Sequence, residues 1–309
     1  MDFIKIFSPA TIANLSCGFD VLGLCLENVG DEMTIRKIGE KTVRINKIEG
    51  ADLPMEATHN VAGVAALAML REWETDFGFE IEIKKRIKAG SGIGSSAASA
   101  AGAVFGINEL LGRPYEAREL IKFAMQGEKL ASGSAHADNV APALLGGLTL
   151  IRSYDPVDVI RIDAPPELFA TVIHPEIELK TADSRSILKQ SITLQNAIIQ
   201  WGNVGGFVAG LYTNDYDLIG RSMTDKIAEP VRGMLIPGFD QLKSAAQSHG
   251  ALGSGISGSG PSVFALSKGE QTAHEVASAM GKVYENMGLP FEIHVSGINP
   301  DGIRIIEKK

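Results

Sequence analysis

The alternation of hydrophobic and polar positions predicts several strands in the first half of the chain. It is clearest in FEIEIKKRI at 79–87, where Phe79, Ile81, Ile83 and Ile87 fall on one face and charged residues on the other. A period of two is typical of a strand in a sheet with one solvated face. Further strands are predicted for FIKIFS from Phe3, MTIRKI from Met33, TVRINKI from Thr42 and LTLIR at 148–152. The pattern favours an antiparallel or mixed sheet over a doubly wound parallel one.

Helices are predicted from capping residues and stop signals. They cover about 60–76, where Asn60 can act as the N-cap, about 95–111, and about 115–130. The second half also mixes strands and helices. LFATVIH, SVFALS and FEIHVS are strand-like, three helical stretches fall between about 185 and 247, and another lies near 270–287. Both halves are therefore predicted to be α+β.

A proline-rich segment marks a candidate boundary between two structural units. SYDPVDVIRIDAPPE at 153–167 holds three of the 13 prolines and separates two strand-like stretches. Such clusters are typical of connections. The 309 residues also suffice for two domains of about 150 residues each. We predict an N-terminal part at 1–155 and a C-terminal part at 156–309.

Composition excludes several classes of protein. An apolar fraction of 45% is enough for a core, which excludes a disordered or fibrous protein. The formal net charge of −8 and the 6% aromatic content lack the footprint of a nucleic-acid binder. The longest clearly apolar run, VAGVAALAML at 61–70, is about half a membrane span. Two cysteines are too few for a disulfide scaffold. We expect a cytoplasmic protein with no nucleic-acid or membrane partner.

The stretch KAGSGIGSSAA at 88–98 carries the strongest chemical signal. A strand ends at Ile87, three glycines follow, and a helix of small residues begins at Ser95 or Ser96. Unpaired amides and the positive helix end then point to one place, which predicts a phosphate site. The Walker pattern GxxxxGK[ST] is absent from the chain. GIGSSA at 92–97 matches the looser GxGxxA dinucleotide fingerprint, but it does not follow a fully buried parallel strand.

This stretch resembles the second motif of the GHMP kinases, PxxxGLGSSAA, with Lys88 at the proline position and Ile93 at the leucine. SPATIANLSCGFDVLGLCL at 8–26 resembles the first motif, and GALGSGISGSGPSVFAL at 250–266 the third. Three motifs in the family's order identify the chain as a member. The resemblance implies an α+β GHMP kinase fold, a two-part mixed α/β sandwich with a ferredoxin-like C-terminal half. It places the substrate in the cleft between the halves.

The resemblance also implies ATP and Mg²⁺ as cofactors. Mg²⁺ prefers oxygen ligands, and the family pattern assigns it to Ser96 and Glu128. Adenine contacts are assigned near Thr58, Asn60 and Lys88. The residues implied in nucleotide binding are Asn60, Lys88, Ala89, Gly90, Ser91, Gly92, Ile93, Gly94, Ser95, Ser96, Ala97 and Ala98.

Within the family, four stretches resemble the members that phosphorylate L-homoserine: ANLSCGFDVLG, EKLASGSAHADNVAPALLGG at 128–147, TADSR at 181–185 and EPVRGMLIPGF at 229–239. The implied acceptor is L-homoserine. Members of the family are often dimeric, which implies a homodimer. Asn14 and Asp20 are assigned to the amino end and hydroxyl of the acceptor. Arg185 and Arg232 are assigned to its carboxylate, because a guanidinium fork matches a carboxylate. The other implied pocket residues are His136, Thr181, Gly258, Asp138 and Asn139.

Two questions stay open at this level. Asp138 or Asn139 faces the acceptor hydroxyl, and catalysis without a dedicated base is the working hypothesis. The turn GSGISGSGPS at 253–262 is expected to act through main-chain N–H groups that face the substrate or the phosphate loop. The alternative functions are a related small-molecule kinase of the mevalonate type and a non-catalytic nucleotide-binding protein.

Overall fold

The computed structural model describes residues 2–177, 179, 184 and 186–309, which form strands in two sheets and helices that cover them. The strands are β1 (Phe3–Ala13), β2 (Leu22–Ile38), β3 (Val43–Glu49), β4 (Gly78–Lys84), β5 (Leu148–Tyr154), β6 (Val157–Ile162), β7 (Leu168–Pro175), β8 (Ala251–Ile256), β9 (Val263–Lys268), β10 (Phe291–Gly297) and β11 (Arg304–Lys308). The helices are α1 (Val61–Glu72), α2 (Ser95–Leu110), α3 (Ala117–Ser132), α4 (Val140–Leu145), α5 (Leu194–Thr213), α6 (Tyr216–Ser222), α7 (Glu229–Arg232), α8 (Phe239–Ser248) and α9 (Glu270–Met287).

The first sheet is mixed, as the strand patterns predict. Its order is β11-β1-β2-β4-β3, and β5 joins β2 and carries β6 at its outer edge. β2 pairs antiparallel with β4, whereas β3 pairs parallel with β4. Phe79, Ile81 and Ile83 of β4 all point into the core, with exposures of 0%, 0% and 2%. The period-two reading of this strand is therefore confirmed.

Helices α1 to α4 cover one face of this sheet and form the first core with it. α2 lies close to the strands because its inward positions are small. A Cβ atom on Gly102 would lie 2.3 Å from the sulfur of Met33, and one on Gly106 would lie 2.5 Å from a methyl of Ile35. The alanine-rich sequence after the glycine loop thus lets this helix pack directly against β1 and β2. This close packing positions the first turn of α2 at the edge of the site.

The second sheet is antiparallel, in the order β10-β7-β9-β8. One face packs on α8 and α9, with Ile173, Val263 and Ala265 in that core. The opposite face, which includes Ala170 and Val172, packs with Leu22 and Leu24 of β2 in another core that joins the two sheets. The glycine loop and the turn after β8 meet along this junction.

Several elements lie where the sequence pattern gave a weak signal. β8 occupies part of the third motif, and β11 returns from the end of the chain to pair with β1. β6 lies inside the proline-rich segment at 153–167 and pairs with β5 in the first sheet. The division after residue 155 stays a prediction, and we propose that both β6 and β11 be counted with the N-terminal part. No helix in the described part of the chain is long and apolar enough to span a membrane.

Candidate active site

A cavity of about 630 Å³ opens where the glycine loop, α3, the start of α4 and the turn after β8 converge. Residues from all three predicted motifs line this common space. The predicted residues that line it are Asn14, Asp20, Ala89, Gly90, Gly92, Gly94, Ser95, Ser96, Glu128, His136, Asp138, Asn139, Arg232 and Gly258. The motifs therefore converge in space although they span residues 8 to 266 in sequence.

The glycine loop needs its glycines for two separate reasons. Gly90, Gly92 and Gly94 all have positive φ values, of 75°, 82° and 72°, which favour glycine. A Cβ atom on Gly92 would also lie 2.6 Å from the carbonyl oxygen of Gly260, and one on Gly94 would lie 2.1 Å from Oγ1 of Thr11. Helix α2 begins directly after Gly94, at Ser95. The first amides of this helix and its dipole therefore favour an anion at the cavity wall.

The turn between β8 and β9 holds this loop by hydrogen bonds. Ser257 donates its hydroxyl hydrogen to the carbonyl oxygen of Gly92 at 2.7 Å, and Ser262 donates to that of Ser91 at 2.6 Å. The amides of Gly258 and Gly260 are already used, because they donate to the carbonyl oxygens of Ala13 (3.3 Å) and Ser257 (2.9 Å). These two N–H groups therefore face neighbouring backbone, whereas the amide of Ser262 in the same turn donates to the carbonyl oxygen of Ser91 in the glycine loop at 3.3 Å. The turn thus contacts the loop through both side-chain hydroxyls and main-chain groups.

Glu128 and Ser96 bring a carboxylate and a hydroxyl to one side of the cavity. Burial raises the pKa of Glu128 to about 7, opposed by a hydrogen bond from Ser96 and by the charge of Lys85. Its Oε1 atom is buried and has no hydrogen-bond partner among the residues that the structure describes. A buried carboxylate oxygen without a donor suits a cation. No cluster of three or more His, Cys, Asp or Glu side chains that could hold a metal occurs in the described ranges.

Lys85 is a cavity residue that sequence reasoning missed. Its Nζ donates to a carboxylate oxygen of Asp31, to the carbonyl oxygen of Ser95 at 2.8 Å and to Oγ of Ser99 at 3.1 Å. A signal was present in the sequence, because position 85 continues the apolar row that runs through Ile83 and Ile87. A lysine on the buried face of a strand needs a buried partner. Asp31 is that partner.

Asp138 and Asn139 lie at the start of α4 and differ in their surroundings. Asp138 is 5% exposed. Burial, together with the negative charges of Asp20 and Glu128, raises its pKa to about 8. The carboxamide of Asn139 accepts a hydrogen bond at Oδ1 from the hydroxyl of Thr11, at 2.8 Å.

The first motif turns sharply beneath the cavity. Asn14, Leu15, Ser16 and Asp20 all have positive φ values, from 44° to 73°. This costly conformation is held by the Asn14 side chain, whose Nδ2 donates to the carbonyl oxygen of Gly258 at 2.7 Å and whose Oδ1 accepts from the amide of Asp20 at 3.0 Å. Asn14 therefore ties the first motif to the third and fixes the backbone of Asp20.

Asp20 has aromatic neighbours. Nδ1 of His136 lies 3.7 Å from its Oδ1 atom. The hydroxyl of Tyr154 donates to the carbonyl oxygen of Asp20 at 2.7 Å and accepts from the amide of Ala137 at 3.4 Å. Tyr154, which no sequence motif signals, thus joins the two segments that carry Asp20 and His136.

Arg232 is the buried cation at the far end of the cavity. It is 3% exposed, and its guanidinium lies 5.2 Å from the centre of the Phe19 ring. Its Nε donates to the carbonyl oxygen of Ser184 at 2.9 Å, and Nη1 to that of Gly258 at 3.3 Å. Asp225 caps the short helix α7 that carries it, by accepting the amide of Glu229 at 2.7 Å. The surroundings fix the direction in which the guanidinium points.

Other predicted residues do not line the cavity. Asn60 caps α1, where its Oδ1 accepts from the amide of Ala62 at 3.0 Å. Lys88 forms ion pairs with Glu176 (2.8 Å) and Glu292 (3.2 Å). Four more predicted loop and helix residues are buried in the protein: Ser91, Ile93, Ala97 and Ala98. Thr181 and Arg185 lie outside the described residues.

The remaining wall of the cavity is largely apolar. Leu53, Val61, Leu130 and Ala131 line it, with His59 at the rim. These residues are scattered through unrelated stretches of sequence, so no local motif signals them. An apolar wall beside an anion site suits a purine ring next to its phosphates.

Known proteins share both sequence and structure with this chain. The family model described as GHMP kinases N terminal domain matches residues 60–147, and that described as GHMP kinases C terminal matches residues 207–286. The chain is 46% identical to a homoserine kinase of Chlorobium phaeovibrioides, with 99% of this chain and 100% of the relative covered. The chain belongs to the homoserine kinases of the GHMP kinase family. Its fold class is thereby confirmed, and membership of a kinase family implies ATP as a substrate.

Solved structures of this family superpose on the chain over nearly its whole length. The crystal structure of homoserine kinase from Cytophaga hutchinsonii matches with a TM-score of 0.95 and 51% identity, covering 99% of this chain and 98% of that one. A mevalonate kinase from L. major, solved with R-mevalonate, matches with a TM-score of 0.71 at 18% identity, covering 95% and 96%. The second similarity shows a common fold only.

Proposed function

We propose that the protein transfers the γ-phosphoryl group of ATP to the hydroxyl of L-homoserine, giving ADP and O-phospho-L-homoserine. The observation that carries this proposal is the cavity itself. It places a phosphate-binding loop beside a half-buried carboxylate, Asp20, and a buried guanidinium, Arg232. An acceptor that is an amino acid needs such a pair of opposite charges. Homoserine kinases similar over the full length support the same acceptor.

The donor nucleotide occupies the loop side of the cavity. The amides at the start of α2 hold phosphate oxygens, because they have no partner within the helix. Leu53, Val61 and Leu130 offer an apolar wall for the adenine ring. In this arrangement Asn60 and Lys88 act indirectly, by capping α1 and by tying the loop to the second sheet.

Mg²⁺ fits the donor set at Glu128 and Ser96. The unpartnered Oε1 of Glu128 and the Ser96 hydroxyl are hard oxygen ligands of the kind that Mg²⁺ takes together with phosphate oxygens. When bound, the ion neutralises charge on the polyphosphate. Glu128 is shielded from water by the protein, so its charge acts at close range on whatever cation binds beside it.

The acceptor occupies the side near the first and third motifs. The Asp20 carboxylate faces the ammonium group, with His136 beside it, and Arg232 faces the carboxylate group. The family resemblance also assigns Arg185 to that carboxylate and Thr181 to the same pocket, and both residues lie outside the described ranges. An amino acid bound in the reverse orientation would place its carboxylate group beside Asp20 and its ammonium group beside Arg232. Such contacts between like charges cost several kcal/mol. The charge pattern thus favours one orientation of the bound amino acid.

Transfer forms a bond between the acceptor oxygen and the γ-phosphorus and breaks the bond to the bridging oxygen of ADP. We propose that positioning and N–H donors carry most of the catalysis. Asn139 cannot take up a proton, because its side chain is a neutral amide. In the absence of a base, the hydroxyl proton leaves to a phosphoryl oxygen or to solvent. The alternative acceptor of this proton is Asp138, and the variant Asp138→Asn distinguishes the two routes.

We further propose that the protein is a cytoplasmic homodimer. Cys17 and Cys25 are both free and buried, as is usual in a reducing compartment. The outer face of α5 exposes Leu194 (70%), Ile198 (52%) and Trp201 (59%). Large exposed apolar side chains grouped on one helix are typical of an interface. Light scattering of the purified protein gives its mass, and a mass of one chain at micromolar concentration would rule out the dimer.

The experiment is ADP release from Mg·ATP by purified protein, with L-homoserine, L-serine, mevalonate or no acceptor. We expect turnover with L-homoserine that EDTA abolishes. ATP binding without acceptor-dependent turnover would indicate a non-catalytic nucleotide-binding protein. Faster turnover with mevalonate than with homoserine would instead move the chain to a sister kinase.

A further inference from the structure

Thr11 lies at a junction of three parts of the site. Its backbone amide, just beyond a bulge in β1, donates to the carbonyl oxygen of Ile93 in the glycine loop at 3.1 Å. Its hydroxyl donates to Oδ1 of Asn139 at 2.8 Å. The side chain is fully buried, with 0% exposure. One residue therefore contacts the first strand, the phosphate loop and the start of α4.

Thr11 and Asn139 pack closely against the glycine loop. A Cβ atom on Gly94 would lie 2.1 Å from Oγ1 of Thr11 and 3.1 Å from Oδ1 of Asn139. Both oxygens thus abut the last residue of the loop before α2 begins. This packing places the Asn139 side chain next to the loop residue that precedes the phosphate-binding amides.

The direction of the hydrogen bond orients the carboxamide. A carboxamide has one acceptor oxygen and one donor NH₂ group. Since Oδ1 is turned toward Thr11, Nδ2 points the other way, and Asn139 lines the cavity beside Gly92 and Ser96. Within the described ranges no hydrogen bond engages this NH₂ group. It is therefore available to an oxygen of the transferring phosphoryl group or of the acceptor.

We infer that Thr11 is a positioning residue, whose hydroxyl holds the carboxamide of Asn139 with its NH₂ group toward the reacting oxygens. The inference rests on the proposed function. Thr11 itself does not contact the substrates: it acts through Asn139. Loss of the hydroxyl frees the carboxamide to rotate, and misplacement of a catalytic group by about 1 Å can lower the rate about 100-fold.

The test compares Thr11→Val, Thr11→Ser and Thr11→Ala. Valine keeps the shape of threonine but removes the hydroxyl, whereas serine keeps the hydroxyl. We expect Thr11→Val to lower kcat by about 10- to 100-fold with both KM values within about threefold. Thr11→Ser should retain kcat within about threefold. Thr11→Ala replaces the valine variant if thermal unfolding shows that valine prevents folding.

Thr149 provides the matched control. It is also fully buried in the first sheet, on β5, but its hydroxyl has no hydrogen-bond partner among the described residues. Thr149→Val should therefore leave kcat unchanged. A general effect of removing a buried hydroxyl from this sheet would appear in both variants, whereas a positioning effect appears at Thr11 alone.

A double-mutant cycle with Asn139→Ala separates positioning from general damage. If Thr11 acts through Asn139, adding Thr11→Val to Asn139→Ala causes no further loss of kcat. The inference is overturned if Thr11→Val alone leaves kcat within threefold of the unmodified protein, or if its loss adds in full to that of Asn139→Ala. Failure of the proposed function has a different signature, because the unmodified protein would then not turn over homoserine.

Discussion

Lys85 and Asp31 form an ion pair that is closed off from solvent, with side-chain exposures of 1% and 0%. Asp31 also accepts the amides of Arg86 (2.7 Å) and Ile87 (3.0 Å), just before the glycine loop. The pair therefore ties the end of β4 to β2 and, through the Ser95 carbonyl, to the first turn of α2. Because Lys85 also lines the cavity, the pair supports the loop at the cavity wall.

Replacing Lys85 by Met should destabilise the protein by about 3–5 kcal/mol, because it leaves a buried carboxylate without its cation. Chemical denaturation measures the free energy of unfolding. Lys84→Met is the matched control, since Lys84 is the exposed neighbour on the same strand, and it should change stability by less than about 0.5 kcal/mol. A Lys85→Met protein as stable as this control would contradict the structural role of the pair.

Arg232→Lys should raise KM for homoserine by about 10- to 100-fold, which corresponds to the 1.5–3 kcal/mol of a charged hydrogen bond. Lysine keeps the charge but loses the planar fork. KM for ATP should change little. Arg152→Lys is the control, because the Arg152 side chain is 61% exposed and forms its ion pair with Asp158 at the surface. Equal effects on the two KM values would argue against a carboxylate-binding role.

Tyr154→Phe should raise KM for homoserine by about 3- to 10-fold. The change removes only the hydroxyl that joins the Asp20 carbonyl to the Ala137 amide, and one hydrogen bond contributes about 0.5–1.5 kcal/mol. Tyr216→Phe serves for comparison, because its hydroxyl also accepts one backbone amide, from Glu167 at 3.2 Å. Steady-state kinetics of both variants test this prediction, because KM for homoserine should rise in Tyr154→Phe and not in Tyr216→Phe.

Asp138→Asn should leave kcat within about tenfold if transfer proceeds without a dedicated base. A positioned general base contributes about 10²- to 10⁴-fold. Single-turnover measurements at saturating substrates isolate the chemical step. A loss of 10³-fold or more, with KM unchanged, would show instead that Asp138 takes the hydroxyl proton.

The same variant gives a pH signature in the absence of ligands. The pKa of Asp138 is about 8 in the folded protein and about 3.9 in an unfolded chain. Between these values the folded state binds a proton that the unfolded state lacks, so the contribution of Asp138 to stability falls as pH rises. Asp138→Asn should therefore raise the Tm more at pH 8 than at pH 5. A Tm difference that is constant with pH would contradict the raised pKa.

Much of the fold follows from local pattern. β4, α2 and β9 lie where alternation and capping predict them, because each buries a regular face against a partner. β11 was missed, since its pairing with β1 joins the two ends of the chain. β8 was missed because its sequence, ALGSGI, is rich in glycine. A strand with so few side chains owes its place to the neighbouring strand rather than to its own propensity.

The site shows a similar division. The glycine loop could be predicted because its chemistry is local: a strand, a turn and a helix start supply all its groups. Lys85, Thr11 and Tyr154 could not be selected in this way, because their partners are 54, 128 and 134 residues away. Their roles depend on contacts that only the folded chain creates.

The most direct test of the proposed reaction is identification of its product. The purified protein is incubated with Mg·ATP and L-homoserine, and the mixture is followed by ³¹P NMR and mass spectrometry. We predict a phosphate monoester with the mass of O-phospho-L-homoserine that accumulates in step with ADP, one for one. ADP that accumulates with inorganic phosphate and no phosphorylated amino acid would contradict the account.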